Sequence, residues 1–520
     1  MPWVAGCVQA VGAGRNIDAA LAKTPAELRA GVQALAYSVL RQWAWAHAVL
    51  PTLAKKSPAA PVRALLLSCV ALLRQPSGYA SHVVVDEAVK ACKASHKLKA
   101  AAGFINGSLR TLLRDYDAID TAATSDWVVA FNHPIWWIKR LRSQYPGHWQ
   151  EMLRANQRAA PMVLRVNAQR HSRDDYIAQL QAAGMGAQAL LGAGAAAVVL
   201  DKPQSVYDLP GFEQGDVSVQ DGSPQLAAHY LWQSPHLQRL VNGACARAPL
   251  LLDACAAPGG KTAHVLEAAP ASCAGSDMAP LMTALEIDES RAQRIHGTLQ
   301  RLGLHATVVV ADAAQRGAWC DSGPFDAILL DAPCTASGIV RRHPDVPWLR
   351  RESDIDQLMA QQRDLLEALW PQLVPGGRMV YCTCSTFKEE GQWQIEGFLQ
   401  RHPDAQLVPS VGHIVPGDVD GRITGQIGQT QQTQQTQHTQ QTHQAKPAVQ
   451  SDDFADVGGL GGIGNVSELG TVAAASHGPG PDLNAPELIA NRQVNPQAQI
   501  GHNQAMGFDG FFYAVLDKAS

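Results

Sequence analysis

Asp253-Ala254-Cys255-Ala256-Ala257-Pro258-Gly259-Gly260-Lys261-Thr262 decides how the larger half of this chain folds. It closes an apolar run, so Leu250–Cys255 reads as a short buried strand. The Pro-Gly-Gly turn then feeds a helix. The same unit recurs downstream: Ala284–Asp288, Thr307–Asp312, Phe325–Asp331 and Arg378–Cys384 read as strands with helical stretches between them. Such alternation implies a parallel sheet with helices on both faces. Ligands in such sheets sit at the carboxyl ends of the strands, and the polar motifs of this chain fall at those ends.

Upstream, residues 26–114 read as helical. Leu28, Val32, Leu35, Val39, Leu40 and Trp43 recur at three- and four-residue steps, and further helices are expected from Val62, over His82–Lys93 and over Leu98–Arg114. This makes residues 1–125 an all-α domain of ordinary size. Residues 126–159 read as a helical connector and 160–240 as a small α+β unit, with a strand at Met162–Asn167, a helix at Arg173–Ala183 and a strand at Val217–Asp221. Two segments interrupt the alternating domain at 241–414. Residues 271–283 read as an insertion. Residues 415–505, with the Gln/Thr/His run Gln429–Gln444, cannot bury enough apolar surface to offset chain entropy and are expected to be disordered. Residues 506–520 read as a final strand, centred on Gly510-Phe511-Phe512-Tyr513-Ala514.

A chain of 520 residues exceeds one core, so several domains are expected. No apolar run is long enough to cross a bilayer, and the first residues lack a secretory signal. Ten irregularly spaced cysteines do not form a disulfide framework, which fits a reducing, cytoplasmic setting. The net charge of −4 conceals an asymmetry: residues 1–170 carry 21 Lys+Arg against 9 Asp+Glu, and the acidic excess lies beyond them. A basic front suits a polyanion, although a solvated basic surface would look the same. Arg110 and Arg114 stand four apart on one helix face.

The glycine turn presents backbone and helix N–H groups to a ligand. It lacks the spacing of a dinucleotide fingerprint or a P-loop, and by itself a tight turn explains it. Acids at consecutive strand ends strengthen it: Glu286 and Asp288, Asp312, then Asp331. A carboxylate after the second strand can accept two ribose hydroxyls, and Asp312 can meet an amino group. Any one of them can equally be a helix cap.

Two thiols lie behind this cleft: Cys334 in Asp331-Ala332-Pro333-Cys334 and Cys384 in Thr383-Cys384-Ser385. Carbon 5 of a pyrimidine is a poor nucleophile, and thiolate addition at carbon 6 makes it carbanion-like, able to take a methyl group from a sulfonium. A base must then remove the carbon-5 proton. For a single cysteine an inert buried residue is the commoner case; Cys7, Cys69, Cys92, Cys245, Cys273, Cys320 and Cys382 are given that reading. Cys382 and Cys384 without a second Cys/His pair make a poor zinc site, so no metal is expected.

These motifs, with Ser337-Gly338, Arg341-Arg342-His343-Pro344-Asp345 and Gly103–Arg110, resemble the bacterial ribosomal RNA small-subunit methyltransferase B family (the Sun/Fmu type). The resemblance implies a NusB-like helical RNA-binding domain, a small α+β domain and a Rossmann-like S-adenosyl-L-methionine-dependent methyltransferase with a mixed seven-stranded sheet. It implies methylation of carbon 5 of a cytosine in 16S ribosomal RNA, at position 967 in the usual numbering of that RNA. Carried over by position, Cys384 is the nucleophile, Cys334 serves product release, and Asp331 faces both base and cofactor. Cys255, Ala256, Ala257, Pro258, Gly259, Gly260, Lys261, Glu286, Asp312 and Asp331 hold the methyl donor. Glu286 stands where the family usually has Asp, so Asp288 is an alternative ribose ligand. Arg110, Arg165, Arg341, Arg342 and His343 are the expected RNA contacts, and a monomer is expected. The competing readings are a DNA cytosine-5 methyltransferase using Cys334 alone, a transfer-RNA methyltransferase of the same chemistry, and a non-catalytic RNA-binding factor.

Overall fold

The computed structural model describes residues 1–74, 78–244, 247–273, 278–315, 317, 319, 324–416 and 507–520. The Cys245, Cys320 and Gln/Thr-tract expectations therefore lie outside the described residues, as does nearly all of the segment expected to be disordered. Among the described residues, no helix is long and apolar enough to cross a membrane.

The front of the chain is a helical bundle. Its central helix, Ala60–Leu73, is buried on nearly every side, from Ala64 through Leu73, as its unbroken apolar sequence requires. Helices Ala26–Leu40, Trp43–Leu53, Ser81–Ala94 and Ala102–Arg114 surround it. An additional helix, Pro2–Gly12, packs Val4, Cys7, Val8 and Val11 into the same core. Its mostly small residues gave the sequence reading no helical stripe to follow.

The stretch read as a connector is three short helices, Trp127–Phe131, Ile135–Gln144 and Trp149–Asn156. Their apolar faces do not pack on one another alone. Trp137, Ile138, Leu141 and Trp149 share a core with Val340, Ile355, Phe387 and Val415 of the last domain. Tyr145 donates to the Thr386 carbonyl (2.8 Å), and Gln144 accepts from the Lys388 N–H (2.9 Å).

The small domain is an antiparallel sheet of β1 (Val163–Val166), β2 (Ala187–Ala189), β3 (Ala197–Leu200) and β4 (Val217–Val219), in the order β2-β3-β1-β4. The third domain holds β5 (Leu250–Asp253), β6 (Leu281–Glu286), β7 (Thr307–Val310), β8 (Phe325–Asp331), β9 (Leu373–Thr383), β10 (Ala405–Ile414) and β11 (Phe511–Lys518), in the order β10-β11-β9-β8-β5-β6-β7. β5 through β9 run parallel, and β11 pairs antiparallel with β9 and β10. The expected mixed sheet is present. The reading of 271–283 as an insertion is corrected at its end: β6 starts at Leu281, where an exposed leucine (59% accessible) hid the strand start. Strand order reverses between β5 and β8, which opens the crevice at their carboxyl ends.

Candidate active site

The glycine turn begins where β5 ends. Gly259 has φ 93°, and a Cβ there would lie 3.1 Å from the Cα of Ile295; only glycine combines that conformation with so close a helix. A helix then starts at Gly260. Thr262 donates to Asp253 (2.7 Å), tying this helix back to the strand that precedes the turn. Burial raises the Asp253 carboxyl to about 6, against the opposing Thr262 hydrogen bond.

The acids stand at successive strand ends but in different situations. Glu286 closes β6 and is 3% exposed, with Arg291 at 3.2 Å. Asp288 is a helix cap: it accepts from the Arg291 N–H (2.8 Å) and from the Ser290 hydroxyl (2.5 Å), while Glu286 accepts from the Asp288 N–H (3.2 Å). Asp312 accepts from the Ala314 N–H and the Gln315 side chain, both at 3.0 Å. Asp331, at the end of β8, meets the Lys261 ammonium at 2.7 Å. Burial alone would lower that ammonium, but Asp331 and the neighbouring thiols hold it above its ordinary value.

β8 and β9 are adjacent and in register, Asp331 opposite Cys382, so the residues just past their ends converge. Cys334 Sγ and Cys384 Sγ lie 3.3 Å apart, and both are partly accessible. The hydrogen bond to Cys384, and then burial, push the Cys334 thiol well above its ordinary value. Cys7, Cys69, Cys92, Cys273 and Cys382 are buried, as read from the sequence. Cys382 Sγ lies 3.6 Å from Asp331, on the floor of the same site.

The loops carrying the thiols are fixed from below by residues that the sequence reading did not single out. Glu390, fully buried, accepts from the Thr335 N–H (2.8 Å), the Thr335 hydroxyl (2.5 Å), the Ser385 hydroxyl (2.6 Å) and Gln362 (3.2 Å). Arg350 donates to the carbonyls of Thr335 (3.0 Å) and Cys334 (3.2 Å). Glu390 lies in the charged run Lys388-Glu389-Glu390, and its place six residues past Cys384 is the one local signal for it. Gly338 receives the Gly510 N–H on its carbonyl (2.8 Å), and a Cβ at Gly338 would overlap the Gly510 carbonyl.

The expected RNA contacts divide. Arg110 is exposed on the bundle and reaches Asn106 (3.3 Å). Its neighbour Arg114 is forked onto Asp115. His343 is half-buried. Arg165 and Arg341 are corrections. Arg165 is 1% exposed and spends its guanidinium on Glu267, Gln220 and the Gly260 carbonyl. Arg341 is fully buried against Asp509. Arg342, about a quarter exposed, pairs with Asp509 and with Asp221 (2.7 Å). Both arginines beside the thiol loop thus pair with Asp509 in the lead-in to β11, and Arg342 also with Asp221 of the small domain. Charge in a sequence does not say which carboxylate it will meet.

Comparison with known proteins covers all three domains. The profile of the 16S rRNA methyltransferase RsmB/F family matches residues 245–443, that of its ferredoxin-like domain residues 133–207, and that of the NusB family residues 11–114. Ribosomal RNA small subunit methyltransferase B of Vibrio cholerae is 40% identical over 412 residues, 77% of this chain and 89% of that relative. The protein of the same name in Salmonella arizonae is 44% identical over 327 residues, 63% of this chain and 71% of its own length. The crystal structure of PH0851 superimposes with a TM-score of 0.60 at 22% identity, over 79% of this chain and 92% of that one, which speaks to the fold.

Proposed function

The chain belongs to the RsmB/F methyltransferase family, and from that premise we propose that it methylates carbon 5 of a cytosine in 16S ribosomal RNA, using S-adenosyl-L-methionine and a covalent Cys384 adduct. The observation that carries the reading is the pair of thiols 3.3 Å apart at the mouth of a crevice lined by a glycine turn and strand-end carboxylates. Position 967 of that RNA is proposed as the target nucleotide.

The residues fit the cofactor. The turn Cys255–Lys261 offers backbone without bulky side chains, Glu286 suits ribose hydroxyls, Asp312 suits an adenine amino group, and Asp331 would serve both the methyl donor and the base. S-adenosyl-L-methionine supplies an electrophilic methyl group at that place.

Cys384, as thiolate, would bond to carbon 6 and leave an electron pair at carbon 5; that pair would take the methyl group as its bond to the donor sulfur breaks, the electrons of that bond staying on the sulfur. The hydrogen bond to Cys384 and burial both raise the Cys334 thiol; Cys384 is taken as the attacking thiol from its place in the Thr383-Cys384-Ser385 motif. Once Cys384 is bound to the base, the thiol–thiol hydrogen bond is gone. Cys334 then gives its proton to solvent and takes the one from carbon 5. The freed pair restores the ring double bond, and the sulfur–carbon bond breaks to return the Cys384 thiolate. Asp331, held by Lys261, stabilises the polar edge of the base. A paired cytosine must first leave its stack.

The test is adduct trapping. Wild type, Cys384→Ala and Cys334→Ala are incubated with cofactor and unmodified small-subunit RNA and run on a denaturing gel. The adduct is expected to accumulate in Cys334→Ala and to be absent from Cys384→Ala. The reverse pattern would make Cys334 the nucleophile. No adduct and no methylation in any form would leave an RNA-binding factor without catalysis.

A further inference from the structure

We infer that Glu390 is the positioning residue that sets the distance between the two thiols, and that it thereby governs release of the methylated product. The inference rests on the two-thiol reading above and adds a residue that never touches the base.

Cys334 and Cys384 sit on separate loops, past the ends of β8 and β9. Beyond Asp331 and Thr383 the two loops are joined directly by the Gly338 N–H on the Cys384 carbonyl (3.0 Å) and the Thr386 N–H on the Ser337 hydroxyl (2.9 Å), and both are also held from beneath. One carboxylate lies there and holds both. Glu390 Oε1 accepts from the Thr335 N–H and from Gln362, and Oε2 accepts from the hydroxyls of Thr335 and Ser385. Thr335 follows Cys334, and Ser385 follows Cys384. The backbone of Glu390 also takes the Tyr381 hydroxyl (2.9 Å). Gln362 in turn donates to the Pro333 carbonyl (2.9 Å), on the other side of Cys334. Four donors meeting one fully buried carboxylate form a rigid node. Removing it frees two loops whose relative placement matters to within an ångström.

The two chemical steps feel this node differently. Addition to carbon 6 needs Cys384 and the base. Release needs Cys334 placed at carbon 5 while Cys384 is bound to carbon 6 of the same ring, so it depends on the spacing of both sulfurs. Loss of Glu390 therefore slows release more than addition, and the adduct builds up. A merely structural defect would reduce adduct and product together.

The experiment uses the full chain with Glu390→Ala, Glu390→Gln and Ser385→Ala. The first readout is the ratio of covalent RNA adduct to released methylated RNA. The second needs no RNA: phenylarsine oxide, a reagent that bridges two close thiols, is titrated against each variant, with Cys334→Ala as the unbridgeable control. Glu390→Ala should raise the adduct ratio by about tenfold and slow arsenical bridging by a similar factor. Glu390→Gln should stay within about threefold of wild type, because the Thr335 and Ser385 hydroxyls can turn to accept from the amide. Ser385→Ala, which cuts one arm of the carboxylate together with that hydroxyl's contacts to Ser337 (2.8 Å) and the Phe387 N–H (3.0 Å), should fall between them, and it decides the matter if Glu390→Ala does not fold. Wild-type adduct ratio and bridging in both Glu390→Ala and Ser385→Ala would overturn the inference. If wild type forms no adduct while bridging still depends on Glu390, the covalent mechanism fails and the spacing role stands.

Discussion

Arg165 on β1 and Glu267, at the end of the helix that follows the glycine turn, form a two-pronged ion pair at 2.8 and 3.0 Å, sealed from solvent on both sides. The pair rivets the small domain to the helix that shapes the cofactor crevice, since the same guanidinium also takes the Gly260 carbonyl at 2.7 Å. Burial raises the Glu267 carboxyl, and Arg165 opposes that shift, so the acid depends on its partner.

Arg165→Ala should therefore act on stability and not on RNA binding. Leaving Glu267 buried and unpaired is expected to cost about 3–5 kcal/mol, with weaker cofactor binding through the displaced Gly260. Chemical denaturation and an RNA filter-binding assay separate the two effects. A variant of wild-type stability that binds RNA more weakly would restore the phosphate-contact reading of Arg165.

Gly338→Ala should disrupt the thiol loop. Its Cβ would overlap the Gly510 carbonyl, and both partners are backbone, so strain of about 1–3 kcal/mol is expected. The Cys334 loop should shift with it. Methylation should drop by about tenfold or more, read as initial rate at saturating cofactor. A full rate would show that this close approach is dispensable.

Asp253 gives a pH signature. Burial raises its carboxyl from 3.8 to about 6, so the native state favours the protonated form. The stability tied to that proton is complete below pH 3.8 and is lost as pH rises through about 6. Asp253→Asn keeps an acceptor for Thr262 and removes the titration. Its stability relative to wild type should grow by about 2 kcal/mol between pH 4 and pH 7. Denaturant midpoints for the two proteins across that range check this, and parallel curves would refute it.

Release of the adduct should be base-assisted. Cys334 is held well above its ordinary value by the Cys384 hydrogen bond and by burial, and the first of these vanishes in the adduct. The fraction of enzyme trapped as adduct in the wild type is expected to fall from pH 6.5 to pH 8.5, about severalfold, while Cys334→Ala stays flat. Rapid denaturation of steady-state mixtures measures it.

The sequence by itself determined the third domain's alternation, because buried parallel strands are continuous apolar runs and their ends are marked by glycine and acids. β8 runs Phe325–Asp331, as its sequence alone shows, and β5 was placed to within two residues. It also determined the order of the two thiols, since strand-end motifs are local. It did not determine that Cys334 and Cys384 would stand 3.3 Å apart, nor that Glu390 would sit beneath both. It read Arg165 and Arg341 as RNA contacts and did not show their burial, because an arginine's partner is chosen across distances that local pattern does not encode: Glu267 is 102 residues from Arg165, and Asp509 is 168 from Arg341. Tertiary structure decided these, since a buried charge takes whatever carboxylate the packed domains bring within reach.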